Sequence, residues 1–340
     1  MEETTHKRRP HYSGKYPKHY AEKYKELSSE GYDELKEHVR KKGNTPAGTH
    51  IPIMTKEVLE ALDIHPGETG LDCTLGYGGH SRLFLEALGG SGHLYALDCD
   101  PIEIEKTKAR MEGLGYGKDR FTAIFSNFEN LRSVAAENGP FDFIFADLGV
   151  SSMQIDNPER GFSWREDADL DLRFDPTSGV PAWQMLSDMP KEEIAWMLAE
   201  NGDEPYAEKI AAAFDKRRRK KEAIRTTGEL KALIEETVPA DEAKKSLARC
   251  FQAVRIRVNR EYEVLEAFLE ALPDALKPGG RACILTVHSG EDRLVKKAFQ
   301  ADARFGLYSE VTKDVIRPSA AECYDNPRAR STKLRRCVRA

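Results

Sequence analysis

Gly70-Leu71-Asp72-Cys73-Thr74-Leu75-Gly76-Tyr77-Gly78-Gly79-His80 is the stretch on which the fold turns. Residues 70–75 read as a short buried strand, and the glycines that follow let the backbone turn tightly and approach a ligand. Ser81 to Leu88 then takes helical spacing, with Leu83, Phe84 and Leu88 apolar. The start of that helix lends positive potential to the turn. Gly92 to Leu97 is the next strand and runs into Asp98, 22 residues beyond Gly76. This spacing suits a carboxylate that accepts hydrogen bonds from ribose hydroxyls. Gly76-x-Gly78-Gly79 alone is a weak signal, because many strand-to-helix turns carry glycine. A purely structural βαβ turn with a surface acid is the plain alternative.

Outward from this unit the alternation continues. A helix over Ile102–Met111, a strand over Phe121–Phe125, a helix near Asn130–Glu137 and a strand over Phe141–Asp147 predict an α/β fold with a doubly wound parallel sheet. The next strong strand is Arg281–Val287, introduced by the turn Lys277-Pro278-Gly279-Gly280. Residues 148 to 280 intervene, 133 in all, whereas a crossover with its helix needs roughly 30. The surplus contains helical stretches at Lys191–Glu200 and Ala207–Lys221, which predicts an inserted helical subdomain. Helices over Lys244–Arg257 and Arg260–Leu276 return the chain to the sheet. Before His50 the chain is rich in Lys, His, Tyr and Glu, and reads as a mobile arm with one helix between Pro17 and Lys42.

With 40% hydrophobic and 32% charged residues in 340, the composition is that of an ordinary globular protein. No apolar run reaches the length of a membrane span, and Met1–Pro10 lacks the apolar centre of a secretory signal. The six cysteines are scattered with no C-x-x-C pair, so reduced thiols, a cytoplasmic location and no zinc are expected. A net charge of −5 argues weakly against a nucleic-acid partner, but distribution matters more than the sum. Lys216 to Lys221 is KRRRKK; Arg328 to Ala340 holds six Lys or Arg and no acid; residues 7–25 hold seven Lys or Arg among four tyrosines. Any one run is as well a solvated surface. Three on an acidic chain point to an anionic partner.

Ribose recognition does not separate a dehydrogenase from a methyltransferase. Two features lean toward the methyl donor. Asp147 ends the fourth strand where an open α/β sheet places its ligand crevice, and Leu276-Lys277-Pro278-Gly279-Gly280 is similar to the corresponding turn of class I methyltransferases. Longer segments are more specific: His50-Ile-Pro-Ile53, Gly76-Tyr-Gly-Gly-His-Ser81, Asp147-Leu-Gly-Val-Ser-Ser-Met-Gln154, Asp156-Asn-Pro-Glu-Arg-Gly-Phe-Ser163 and Leu170-Asp-Leu-Arg-Phe-Asp-Pro176. Thr226-Thr-Gly-Glu-Leu230, Phe251-Gln-Ala-Val-Arg-Ile-Arg-Val-Asn259, His288-Ser-Gly-Glu-Asp-Arg-Leu-Val-Lys296 and Asn326-Pro-Arg-Ala-Arg-Ser-Thr-Lys-Leu-Arg335 follow. In this order they resemble the ribosomal RNA small-subunit methyltransferase H family, over residues 50–335.

The resemblance implies a Rossmann-like class I methyltransferase sheet with an inserted helical subdomain, S-adenosyl-L-methionine as methyl donor, and N4 of a cytidine in 16S ribosomal RNA as acceptor. It implies donor contacts at Gly78, Gly79, His80, Asp98, Phe128, Asp147 and Gln154, of which Phe128 and Gln154 follow from the resemblance alone. Residues 1–49 then form the arm and 50–154 the first part of the methyltransferase domain. Residues 155–248 form the substrate-recognition insert, and 249–340 the second part with a basic C-terminal tail. The chain departs from the family's usual residues at Tyr77, Leu172, Phe174 and Gly290 and carries a longer arm. A paralogue with another RNA target and a non-catalytic RNA-binding assembly factor are the alternatives.

The N4 amine of cytosine is a poor nucleophile because its lone pair is delocalised into the ring. Alignment with the donor methyl can supply up to ~7–11 kcal/mol, and an acceptor for the amine N–H helps as positive charge develops. Candidates are Asp147, the Ser151-Ser152 turn and His288, the last in competition with a structural, hydrogen-bonded histidine. No metal is expected. Phe162, Trp164 and Phe174 either stack on unstacked bases or form the insert's own core. The expected partner is the small ribosomal subunit, since a chain gripping naked 16S RNA would be more strongly basic. The sequence leaves monomer and homodimer both open.

Overall fold

The computed structural model describes residues 52–340. After α1 (Thr55–Leu62), the glycine segment forms β1 (Thr69–Asp72) and α2 (Gly79–Ala87). There follow β2 (His93–Asp98), α3 (Pro101–Gly113), β3 (Phe121–Phe125), α4 (Leu131–Asn138) and β4 (Phe141–Asp147). A short α5 (Ser152–Asp156) leads into α6 (Ala182–Asp188), α7 (Lys191–Gly202), α8 (Ala207–Arg219), α9 (Thr227–Thr237) and α10 (Ala243–Asn259). Then come α11 (Glu261–Ala275), β5 (Leu276–Thr286), α12 (Ser289–Arg304), β6 (Tyr308–Val311), α13 (Ala320–Asp325) and β7 (Lys333–Arg339). The arm and its expected helix lie outside the described residues.

The seven strands form one sheet in the order β3-β2-β1-β4-β5-β7-β6. The five strands from β3 to β5 are parallel, and β7 runs antiparallel between β5 and β6. The chain winds outward through β2 and β3, returns to β4, and winds the other way. The reversal falls between β1 and β4, so their carboxyl ends open the crevice where such sheets bind ligands.

Two expectations need correction. The turn Lys277–Gly280 lies within β5: Phe141 pairs with Leu276 but Phe143 pairs with Arg281, so the extra residues bulge out of the ladder. The basic run at the end is not a tail. Leu334, Arg335 and Cys337 are buried in β7, and four of the run's six cations pair with acids of the same chain. Arg335 and Lys333 hold Asp292 at 2.7 and 2.9 Å, and Arg336 donates to the Ala61 carbonyl at 2.7 Å. A strand that alternates cations with apolar residues can be buried when acids on the packed helix receive the cations.

Three apolar clusters hold the molecule together. One face of the sheet packs Phe84 edge-on against Phe143 and Phe145, ring centroids 5.7 and 5.1 Å apart. The other packs Leu71, Ile144 and Ile284 against Phe268 and Leu272 of α11 and Val295 of α12. The third is the core of α6–α10, with Leu186, Leu198, Ile210, Leu233 and Val254. Phe162 stacks on Phe174 at 5.7 Å and Trp164 leans on Phe251 at 5.2 Å, all packed into this third core. Of their two readings, these rings form core. Among the described residues no helix is long and apolar enough to cross a membrane.

Candidate functional site

The glycine turn is braced from α3. Gly78 has φ 80°, and a Cβ there would stand 2.9 Å from Thr107 Cγ2, so only glycine fits. The Thr107 hydroxyl donates to the Gly76 carbonyl at 2.6 Å, and Arg110 donates to the Tyr77 carbonyl at 2.7 Å. The Arg110 guanidinium also lies 3.4 Å from the centre of the Tyr77 ring. On the other side Pro52 packs against Gly79, and His80 Nε2 lies 2.9 Å from the Ile53 carbonyl. The chain entering from residue 52 is thus fastened to this turn.

Three carboxylates stand at the strand ends around it. Asp72 is fully buried and accepts from the Ser81 hydroxyl at 2.6 Å and the Thr74 N–H at 3.0 Å. Asp98 accepts from the N–H groups of Gly76 at 2.7 Å and Asp100 at 2.8 Å. Asp147 has its own N–H on the Thr74 hydroxyl at 2.7 Å, and its carboxylate lies 3.9 Å from His80 Nδ1. Burial pushes Asp72 up to about 6 and Asp98 up to about 7, against the hydrogen bonds that favour their charged forms. Asp147 is raised to about 7 by burial first, then by the charges of Asp72 and Glu291. Buried acids held this far above their usual range mark a candidate functional site.

A fourth acid gives no functional signal in the sequence. Asp100 caps α3 by accepting from Ile102 and Glu103, and also accepts from Gln154 Nε2 at 3.0 Å and Arg160 Nη1 at 2.7 Å. Arg160 in turn donates to the carbonyls of Arg173 and Phe174. Asn259 at the end of α10 accepts from the Phe174 N–H and donates to the Leu172 carbonyl, both at 2.8 Å. The quoted motifs around Gln154, Arg160, Leu172 and Asn259 therefore meet in one clasp on the nucleotide side. Asp100 before Pro101 signals a helix cap; nothing local signals the clasp.

Ser151 caps α5, accepting from the Gln154 N–H at 3.1 Å while its own N–H reaches Gln154 Oε1 at 3.0 Å. Ser152 is the first residue of that helix. Phe128, half-buried after β3, meets Phe268 edge-on at 5.4 Å. His288 is the cap of α12: Nδ1 faces the Glu291 N–H at 3.5 Å, and Nε2 lies 3.1 Å from the Glu291 carboxylate. Burial would raise Glu291, but His288, Arg255 and the Val287 N–H together hold it below its usual value. Both nitrogens of His288 thus lie against Glu291 of its own helix, the arrangement of the structural reading, although Nε2 makes no hydrogen bond there.

Glu261, His288 and Glu291 bring their ligand atoms within 4.8 Å of one another, a spacing a metal could use. Arg255 already grips Glu261 with two hydrogen bonds of 2.7 and 3.0 Å, so the cluster has its cation. In the run 216–221, Arg218 and Arg219 pair with Asp215, and Arg217 with Glu236. Lys216, Lys220 and Lys221 are exposed.

Strand order, glycine turn and acidic strand ends define a class I, S-adenosylmethionine-dependent methyltransferase. Within that class the chain belongs to the MraW methylase family, whose model matches residues 47–340. It is 57% identical to ribosomal RNA small subunit methyltransferase H 1 of Agathobacter rectalis, across 100% of this chain and 99% of that one. The H 1 protein of Lachnoclostridium phytofermentans is 53% identical over 100% of this chain and 94% of its own. The H 2 protein of Alkaliphilus metalliredigens is 49% identical over 99% of each. The crevice residues fit the donor. Among the described residues no Lys or Arg is paired with Asp72, Asp98 or Asp147, and S-adenosylmethionine carries two positive groups, a sulfonium and an ammonium.

Proposed function

We propose that this chain methylates N4 of a cytidine in small-subunit ribosomal RNA, in the cytoplasm. The RNA substrate is supported by the names of relatives matched along the whole chain. The chemistry is supported by one observation: Asp147 ends β4 at the sheet's reversal, raised to about 7, with three-tenths of its side chain open to the crevice. When bound, S-adenosylmethionine supplies an electrophilic methyl on its sulfonium. Gly78, Gly79 and His80 offer the turn on which the donor rests, and Asp98 accepts from its ribose. Phe128 and Gln154 complete the donor contacts, Gln154 through its tie to Asp100. Asp147 accepts the N4–H, localising the amine lone pair for attack and drawing off the proton. Ser151 keeps the loop beyond Asp147 in shape by capping α5, and His288 acts by positioning α12. Residues 155–248 form the part that recognises substrate.

The test is transfer of labelled methyl to purified small subunits and to protein-free 16S RNA, followed by mass spectrometry of the nucleosides. N4-methylcytidine is expected, with subunits the better substrate. Label on any other nucleoside rejects the assignment. Asp98→Ala should weaken donor binding more than tenfold in calorimetry, since hydrogen bonds to ionised groups contribute about 1.5–3 kcal/mol. The variant also releases the Gly76 N–H, which adds to the loss.

A further inference from the structure

A cleft of about 250 Å³ opens between α7, α10, α11 and α12, apart from the donor crevice. Its wall on α7 is Trp196, whose indole is 57% exposed although it sits on a helix otherwise packed into the insert's core. Opposite stand Arg293 and Lys297, both exposed, four residues apart on one face of α12. Among the described residues neither has an acidic side chain within ion-pair distance. The amides of Asn201 and Gln252 and the carboxylates of Glu200, Asp203 and Glu266 also line the space, which gives it donors and acceptors beside the ring. Gly290 completes the floor. A Cβ there would collide with the Tyr262 hydroxyl, so the tyrosine seats directly on the helix backbone and keeps the cleft in shape.

The cleft lies beside the reacting end of the sheet. Leu285 pairs in register with Asp147, and the chain runs on within four residues to His288 and Ser289, which line the cleft. An exposed indole facing two unpaired cations is the arrangement that takes a nucleotide: the ring stacks on a base, whichever it is, and the cations meet its phosphate. The acids and amides suit base edges, and the acids discourage the close phosphate rails of a duplex.

We propose that this cleft is a subsite for one unpaired nucleotide of the RNA flanking the target, held by Trp196, Arg293 and Lys297. It rests on the reading of the chain as an RNA methyltransferase. Holding a neighbour of the target in an unstacked state lowers what the reacting base must give up to leave its stack.

The experiment measures steady-state methylation of small subunits, donor affinity, and the affinity of a short single-stranded oligoribonucleotide. Trp196→Ala is expected to raise KM for subunits about tenfold or more, with donor affinity unchanged and Trp196→Phe retaining most of the wild-type affinity. Arg293→Gln with Lys297→Gln should raise KM and flatten the salt dependence of oligonucleotide binding by about 0.7 per lost phosphate contact. If the wild type methylates subunits and these variants keep its KM, the subsite is rejected while the methyltransferase reading stands. If KM rises but oligonucleotide affinity does not change, the cleft receives something other than RNA and the proposal fails. A wild type that methylates no RNA removes both.

Discussion

Asp147→Asn yields an enzyme at least a hundredfold slower and, at pH 8, more stable than the parent. The rate loss is that of a positioned proton acceptor, typically about 10²–10⁴-fold. The gain in stability has the same origin. Asp147 titrates near 3.8 in the unfolded chain and about 7 in the folded one, because burial and the charges of Asp72 and Glu291 oppose its ionisation. The folded state binds the proton more tightly, so this contribution to stability is fully present below about pH 4 and is lost as pH rises through 7. Asparagine carries no such cost. With three-tenths of the side chain exposed and solvent screening allowed for, the advantage at pH 8 is about 1–2 kcal/mol. Melting at pH 5 and pH 8 reads it: the variant's advantage should grow with pH. In the wild type, kcat/KM should climb with pH through about 7 as the acceptor of the free enzyme deprotonates, and this limb should vanish in the variant. Undiminished kcat in Asp147→Asn would dismiss the carboxylate as acceptor.

Arg160→Met should destabilise the fold by about 3–5 kcal/mol, because it strands Asp100 as a buried, uncompensated charge. The two groups lie 2.7 Å apart with side chains 9% and 1% exposed, so solvent cannot take over. The carbonyls of Arg173 and Phe174 lose their donor in the same step. Asp100→Asn combined with Arg160→Met removes both charges and should recover a good part of the loss, since paired removal from a core is far milder than removal of one partner. Chemical denaturation of the two variants and the parent measures this. A double variant no better than Arg160→Met would mean that the carbonyl contacts, not the ion pair, hold the clasp.

Much of the fold is readable along the chain because its signals are local. The run from β1 to β4 alternates in short periods, and Gly78, Asp98 and Asp147 lie where strand, turn and helix meet. What escapes depends on partners distant in sequence. In β7 the pattern Lys333-Leu-Arg-Arg-Cys-Val-Arg339 reads as a charged surface run until Asp292, 43 residues before Arg335, is seen to receive its guanidinium. The bridge from Asp100 to Arg160 spans 60 residues, and that from Asn259 to Leu172 spans 87. Each of those residues has an ordinary local explanation, as a cap or a helix end. His288 is the converse case: a histidine beside the reacting end invites a chemical role, whereas its ring lies against Glu291 in the first turn of its own helix.

The ring of acids at the strand ends bears on how the enzyme empties itself. Methyl transfer turns a sulfonium into a neutral thioether, so the spent donor has one positive charge fewer than the fresh one. Burial and the charge of Asp72 behind them raise Asp98 and Asp147 to about 7, so a sulfonium in the crevice would favour their ionised forms and its loss would withdraw that support. On the proposed donor contacts, the pocket is expected to favour unspent donor by charge, and more strongly as pH rises through about 7. Calorimetry of fresh and spent donor at pH 6 and pH 8 should show this as an affinity gap that widens with pH.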